Sequence, residues 1–133
     1  MDIHAEELTP EDVARLPALV RDIERVAGLP AAIAVVNAFR GMEISIPKGE
    51  NNNTSGKAAF ERIAAAAGRD AALAICNEFG GEMLSIPRCH TLRTEIRARA
   101  IRRAFDDGED INTLARHFEM TYRAIEIILN RAI

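Results

Sequence analysis

Apolar residues recur along this chain in blocks separated by glycines, prolines and short polar runs. Leu16, Val20, Ile23 and Val26 stand at helical spacing after Pro17, and Gly28 ends that block. A proline's fixed φ suits the first position of a helix, so Pro17 is expected to start one that runs toward Val26, after a single turn opened by Thr9 and Pro10. Pro30 starts a second helix that reaches Phe39, with Gly41 expected as its left-handed C-cap. EISIP then alternates weakly, placing Ile44 and Ile46 on one strand face.

The same order returns 40 residues later. Laying residues 20–48 over 60–88 aligns AAIAVVNAFRGMEISIPK with AALAICNEFGGEMLSIPR. Ile23 matches Ile63, Gly28 matches Gly68, Asn37 matches Asn77, Phe39 matches Phe79 and Gly41 matches Gly81. The second copy is expected to hold a helix over roughly 58–67, then one from an Asp70 N-cap to Phe79, a cap at Gly80 and Gly81, and a strand bearing Leu84 and Ile86. The copies are bounded at 13–48 and 57–88, with the polar PKGENNNTSGK reading as a flexible connector. Three-residue strands are not stable alone, so the two are expected to pair as one antiparallel ribbon.

Beyond Arg88 the periodicity is helical again. Ile96, Ala100, Ile101 and Phe105 form an apolar stripe among arginines at 93, 97, 99, 102 and 103, closed by Asp106, Asp107 and Gly108. Asp110 is placed to cap a short helix carrying Ile111, Leu114, Ala115 and Phe118, and Thr121 to cap a last one with Ile125, Ile128 and Leu129 inside. LARHFEMTYRAIEIIL has the anatomy of a helix-turn-helix: Ala115 is small where two helices cross, Met120 fills the corner and Thr121 caps the second helix. Glu119 stands where such turns usually carry glycine, which raises the cost of left-handed backbone there by ~1 kcal/mol. The alternative reading of the segment is an ordinary three-helix bundle.

The fold class expected is therefore mainly α. Tandem helix-helix-strand repeats form a bundle with a short two-stranded ribbon (residues 10–88), and residues 91–133 form a helix-turn-helix domain. At 133 residues the chain is long enough for one compact domain or two very small ones. Its 48% hydrophobic and 28% charged residues suit a globular protein. No apolar run approaches bilayer length and the acidic start lacks the features of a signal peptide, so a cytoplasmic location with no membrane partner is expected.

The net charge of −3 argues against indiscriminate coating of nucleic acid, but it is unevenly spread. Residues 1–87 carry eight bases and thirteen acids (−5), and residues 88–133 carry nine and seven (+2). An acidic body with a more basic end suits a scaffold plus a docking module.

Candidate DNA contacts follow. Arg88, Arg93, Arg97 and Arg103 are placed to neutralise phosphates, and Thr121, Tyr122, Arg123, Glu126 and Asn130 occupy the cap and outward positions of the last helix. For a single arginine the solvated-face reading is as good, and only the cluster favours DNA. Cys76 reads as core, Cys89 and His90 are remote in sequence from His4 and His117, and no metal site, cofactor loop or catalytic set is expected. Asn37 and Asn77 are expected as caps or buried polar contacts.

A glycine pair, a strand ending in Ile-Pro-Arg, an arginine-rich helix and then a helix-turn-helix resemble the Mor transcription activator family of phages and prophages. Here these are Gly80 and Gly81, Leu84 to Arg88, Arg93 to Phe105 and Asp110 to Arg131; ARLPALVRDI resembles the family's first helix, so the likeness spans roughly residues 13–131. The resemblance implies a homodimer with intertwined helices and paired strands, binding double-stranded DNA and recruiting RNA polymerase. Two copies for one helix-turn-helix allow the ribbon to close within one chain. The other class the sequence allows is a protein-interaction module, an antirepressor or decoy, that keeps the fold without docking on DNA; Glu119, Glu126 and the short tail favour it.

Overall fold

The computed structural model describes residues 2–49 and 54–131. These fall into two compact units, divided between His90 and Thr91.

The first unit opens with a single 3₁₀ turn (Ala5–Glu7) and α1 (Pro10–Ala14), whose N-terminus is a full capping box between Thr9 and Asp12. Asp12 is 1% exposed, and besides accepting the Thr9 amide at 3.0 Å it meets Arg15 at 3.1 Å. There follow α2 (Ala18–Ala27), α3 (Leu29–Phe39), β1 (Glu43–Ser45), α4 (Thr54–Ala67), α5 (Arg69–Phe79) and β2 (Met83–Ser85).

The break between α2 and α3 is set by Gly28 at φ 91°, ψ 159°, and that between α4 and α5 by Gly68 at φ 94°, ψ 157°. This region of backbone space is nearly glycine-only. Each glycine both ends one helix and starts the next: the Gly28 amide donates to the Glu24 carbonyl at 2.7 Å while its own carbonyl accepts from Ala32 at 3.1 Å. Gly68 does the same with Ala64 and Ala72 at 2.8 and 3.0 Å.

The strands pair antiparallel within the chain, with Ile44 opposite Leu84 at the centre. Flanking bonds repeat at the 40-residue offset: the Gly41 amide donates to the Ile86 carbonyl and the Gly81 amide to the Ile46 carbonyl, both at 2.8 Å. Ile46 and Ile86 likewise donate to Glu82 and Met42, both at 2.9 Å. This is twofold pairing of two like segments, and the helices follow it, since α2 packs on α5 as α3 packs on α4. The core is built from equivalent positions: Val20 and Phe60, Ile23 and Ile63, Ala32 and Ala72, Val35 and Ile75, Phe39 and Phe79, Ile46 and Ile86 are all buried. The ribbon expected near 43–46 and 83–86 is thus present, inside one chain.

Several boundaries differ from the sequence expectations. Pro17 is the N-cap of α2, one residue before the helix. Asp70 does not cap α5; Gly68 holds that position, and Asp70 lies in the first turn, where its charge still favours the helix N-terminus. Helix α4 starts at Thr54, inside the expected connector, of which residues 50–53 lie outside the described residues. Of the glycine pair only Gly81 is left-handed (φ 87°); Gly80 has φ −56°, ψ 131°, nearly the angles Arg40 adopts at the matching place. The first unit also begins before residue 10. Ile3 is 2% exposed, and its backbone N–H and C=O both pair with the Asn37 amide, at 2.9 and 2.7 Å. Asn77, the matching residue, is exposed.

The second unit consists of most of α6 (His90–Asp106), α7 (Ile111–His117) and α8 (Tyr122–Asn130). Ile101, Leu114 and Ile125 form its centre, with Ala104, Ile111, Ala115, Phe118, Met120, Ile128 and Leu129 packed around them. Phe105, expected in the α6 stripe, is 43% exposed, because the inward positions of the last turns belong to Ile101 and Ala104.

Candidate nucleic-acid interface

Both short helices of the second unit are capped by the side chain that sequence placed there. Asp110 accepts from the Thr113 amide at 2.7 Å, and Thr121 accepts from the Ala124 amide at 3.0 Å. The Thr113 amide and hydroxyl bind the charged form of Asp110, which holds its carboxyl below the ordinary range.

Between the helices, the chain turns on Glu119, which takes φ 54°. The Met120 amide returns to the Ala115 carbonyl at 2.9 Å, and the Phe118 amide to Leu114 at 2.9 Å. A left-handed residue bridged by a bond from the residue after it to one three before the cap is the Schellman ending of a helix. The turn ends α7 and leads into α8 while Met120 and Phe118 remain in the apolar cluster.

Helix α8 is amphipathic. Ala124, Ile125, Ile128 and Leu129 face the cluster or lie half-buried. The opposite arc carries Tyr122 (48% exposed), Arg123, Glu126, Ile127 (47% exposed) and Asn130. The Arg123 side chain is 81% exposed and stands 3.9 Å from Glu126, a loose surface pair worth little. Of the candidates read from the sequence, Thr121, Tyr122, Arg123, Glu126 and Asn130 are therefore brought together at one helix.

The arginines of α6 divide. Arg103 is exposed in the last turn. Arg93 is half-buried, as is Arg97, whose Nε is buried without a hydrogen-bond partner among the described residues; Arg102, outside the candidate set, shares that feature. Arg88 belongs to the first unit, where its guanidinium lies against Gly41, so close that a Cβ there would fall 2.6 Å from Cζ. A side chain at 41 would have to displace that guanidinium and would also be strained by the φ of 78°. Ile127 was missed by sequence reasoning, although helical geometry turns it about 200° from Ile125 and 100° from Ile128, onto the arc of Arg123.

Cys76 is buried and its thiol is pushed up in pKa by that burial, as befits a core residue. Among the described residues no three histidine, cysteine, aspartate or glutamate side chains are grouped to hold a metal ion, and no helix is long and apolar enough to cross a membrane.

A helical body closed around one short ribbon, followed in the chain by a small three-helix unit that offers a capped polar helix face, defines a mainly α protein. More particularly, the model of the Mor transcription activator family matches residues 51–133, over half of the chain, and the chain belongs to that family. The matched segment holds α4, α5, β2 and the whole second unit, so ARLPALVRDI and the rest of the first copy lie outside it. No curated protein and no solved structure matched the chain.

Proposed function

We propose that this protein is a sequence-specific DNA-binding transcription regulator, an activator of phage or prophage origin, in which α7, the Glu119 turn and α8 form a helix-turn-helix. The observation that carries the reading is the exposed arc of α8, Tyr122, Arg123, Glu126 and Asn130, on a Thr121-capped helix in a member of a transcription activator family. Such a helix is narrow enough for the major groove, and each of those side chains has hydrogen-bonding groups that suit base edges or phosphates. Arg93, Arg97 and Arg103 on α6, and Arg88 on the first unit, are assigned to phosphates.

In this reading the ribbon closed within one chain supplies the scaffold. The protein works in the cytoplasm as a homodimer, so that two helix-turn-helix units engage a two-part site with the gain of bivalent binding, and it contacts RNA polymerase. Light scattering at micromolar concentration tests the dimer; a particle that stays monomeric on DNA contradicts it.

A second reading, an interaction module that does not bind DNA, is favoured by one observation: Glu126 shares the α8 arc with Arg123 and stands 3.9 Å from it. A mobility-shift assay with DNA from upstream of its own coding region, at two salt concentrations, separates the two. The regulator reading predicts a shift that weakens with salt, with a log-log slope of ~0.9 per phosphate contact. Absence of any shift at low salt, with the helical fold intact, selects the interaction module.

A further inference from the structure

We propose that Ile127 reads the 5-methyl group of a thymine in the major groove, one or two base pairs from the base contacted by Arg123; this rests on the DNA-binding reading above. Ile127 is 47% exposed although α8 fills its cluster with Ile125, Ile128 and Leu129 alone. Packing within the unit therefore does not account for it. Its neighbours on the arc, Tyr122, Arg123, Glu126 and Asn130, are all polar or amphipathic, so the isoleucine is an isolated apolar group in a hydrogen-bonding surface. The major groove of DNA has one counterpart to such a group, the thymine methyl, which every other base lacks at that edge.

The spacing fits as well. Ile127 is four residues after Arg123, on the same row of the helix, so the two side chains leave α8 ~6 Å apart along its axis. With base pairs stacked ~3.4 Å apart, that is about two steps. Arg123 is accessible enough to serve, since its side chain is 81% exposed and its pairing with Glu126 is loose.

The test uses the full chain and a duplex enriched by it from a random-sequence pool. Each thymine is replaced in turn by uracil, which keeps all hydrogen-bonding groups and lacks only the methyl. The expected result is a loss of about fourfold in affinity at one position, the worth of one buried carbon, within two steps of a guanine. Ile127→Ala should bind the thymine and uracil duplexes equally there, and circular dichroism should show its helix content unchanged. A wild-type protein indifferent to every uracil, or an Ile127→Ala variant that keeps the discrimination, overturns the inference while DNA binding stands. If Ile127→Ala instead halves the particle mass in light scattering, the residue is a protein contact and the inference fails. If no duplex is enriched at all, the DNA-binding reading fails and takes the inference with it.

Discussion

Replacing Glu119 with glycine should stabilise the second unit by about 1 kcal/mol. The residue holds φ 54° at the turn between α7 and α8, and an L-residue in that region carries ~1–2 kcal/mol of steric cost between Cβ and the carbonyl. Glycine has no such cost but loses ~0.5–1 kcal/mol more chain entropy on folding, so the net gain is about 1 kcal/mol or slightly less. Nothing opposes it on the side-chain face, because Glu119 is exposed and its carboxylate is not part of the cluster. The assay is thermal unfolding followed by tyrosine fluorescence. The chain has one tyrosine and no tryptophan, and Tyr122 begins α8, so the signal reports this unit. A gain of that size in so small a unit raises the midpoint by several degrees. Glu119→Ala is the control, since it removes the same charge and keeps the Cβ. A rise with alanine as large as with glycine, or no rise with glycine, refutes the backbone argument.

Ala59→Leu should stabilise the first unit. An open groove of about 640 Å³ whose lining includes Phe39, Ile46, Ala59 and Ile63 lies where Gly56 and Ala59 take the places that Leu16 and Leu19 hold in the other copy, and the apolar surface a leucine covers there should add ~1 kcal/mol in urea unfolding by circular dichroism; a lower midpoint contradicts this. Asn37→Ala removes both hydrogen bonds to Ile3 and should cost ~1–3 kcal/mol and expose the N-terminal segment to proteolysis, while Asn77→Ala should be silent. Thr121→Ala should lower the tyrosine-reported stability by ~0.5–2 kcal/mol through the lost cap. The Asp110 carboxyl has a lowered pKa, so its stabilisation is complete above the ordinary aspartate value of ~3.9 and disappears as pH falls through the lower folded value. Midpoints measured from neutral to acid pH should therefore fall less steeply in that range for Asp110→Asn, which retains an acceptor without titrating.

Period and punctuation carried much of this fold. The offset of 40 set matching glycine breaks and strands that must pair somewhere, and α3 with α5, β1 with β2 and the ends of α2 and α4 recur at matching numbers, while α4 starts four residues earlier than α2 does. What pattern could not supply was contact between distant segments. Ile3 and Asn37 are 34 residues apart, and an asparagine near a helix end reads the same whether it caps, is solvated like Asn77, or clamps a remote backbone. The start of α4 was hidden because TSGK is polar and glycine-bearing, a composition as fit for a loop as for a solvated helix face. At the candidate interface the cap at Thr121 and the arc of α8 were legible, since both depend on residues within one turn. Ile127 was left unassigned, although the phase that puts Ile125, Ile128 and Leu129 inside also turns it outward, because an apolar residue on a polar arc carries no chemistry of its own in a sequence.

The central claim is that α8 reads DNA sequence, and Arg123→Ala tests it most directly. The affinity of wild type, Arg123→Ala and Arg97→Ala should be measured by fluorescence anisotropy on an enriched duplex and on a scrambled one at fixed salt. The account predicts that Arg123→Ala loses ~1–3 kcal/mol on the enriched duplex and little on the scrambled one, as a guanine contact requires. Arg97→Ala should weaken both alike, as a phosphate contact does. If neither variant changes DNA binding while both remain folded, α8 is not a reading helix and the interaction-module account replaces this one.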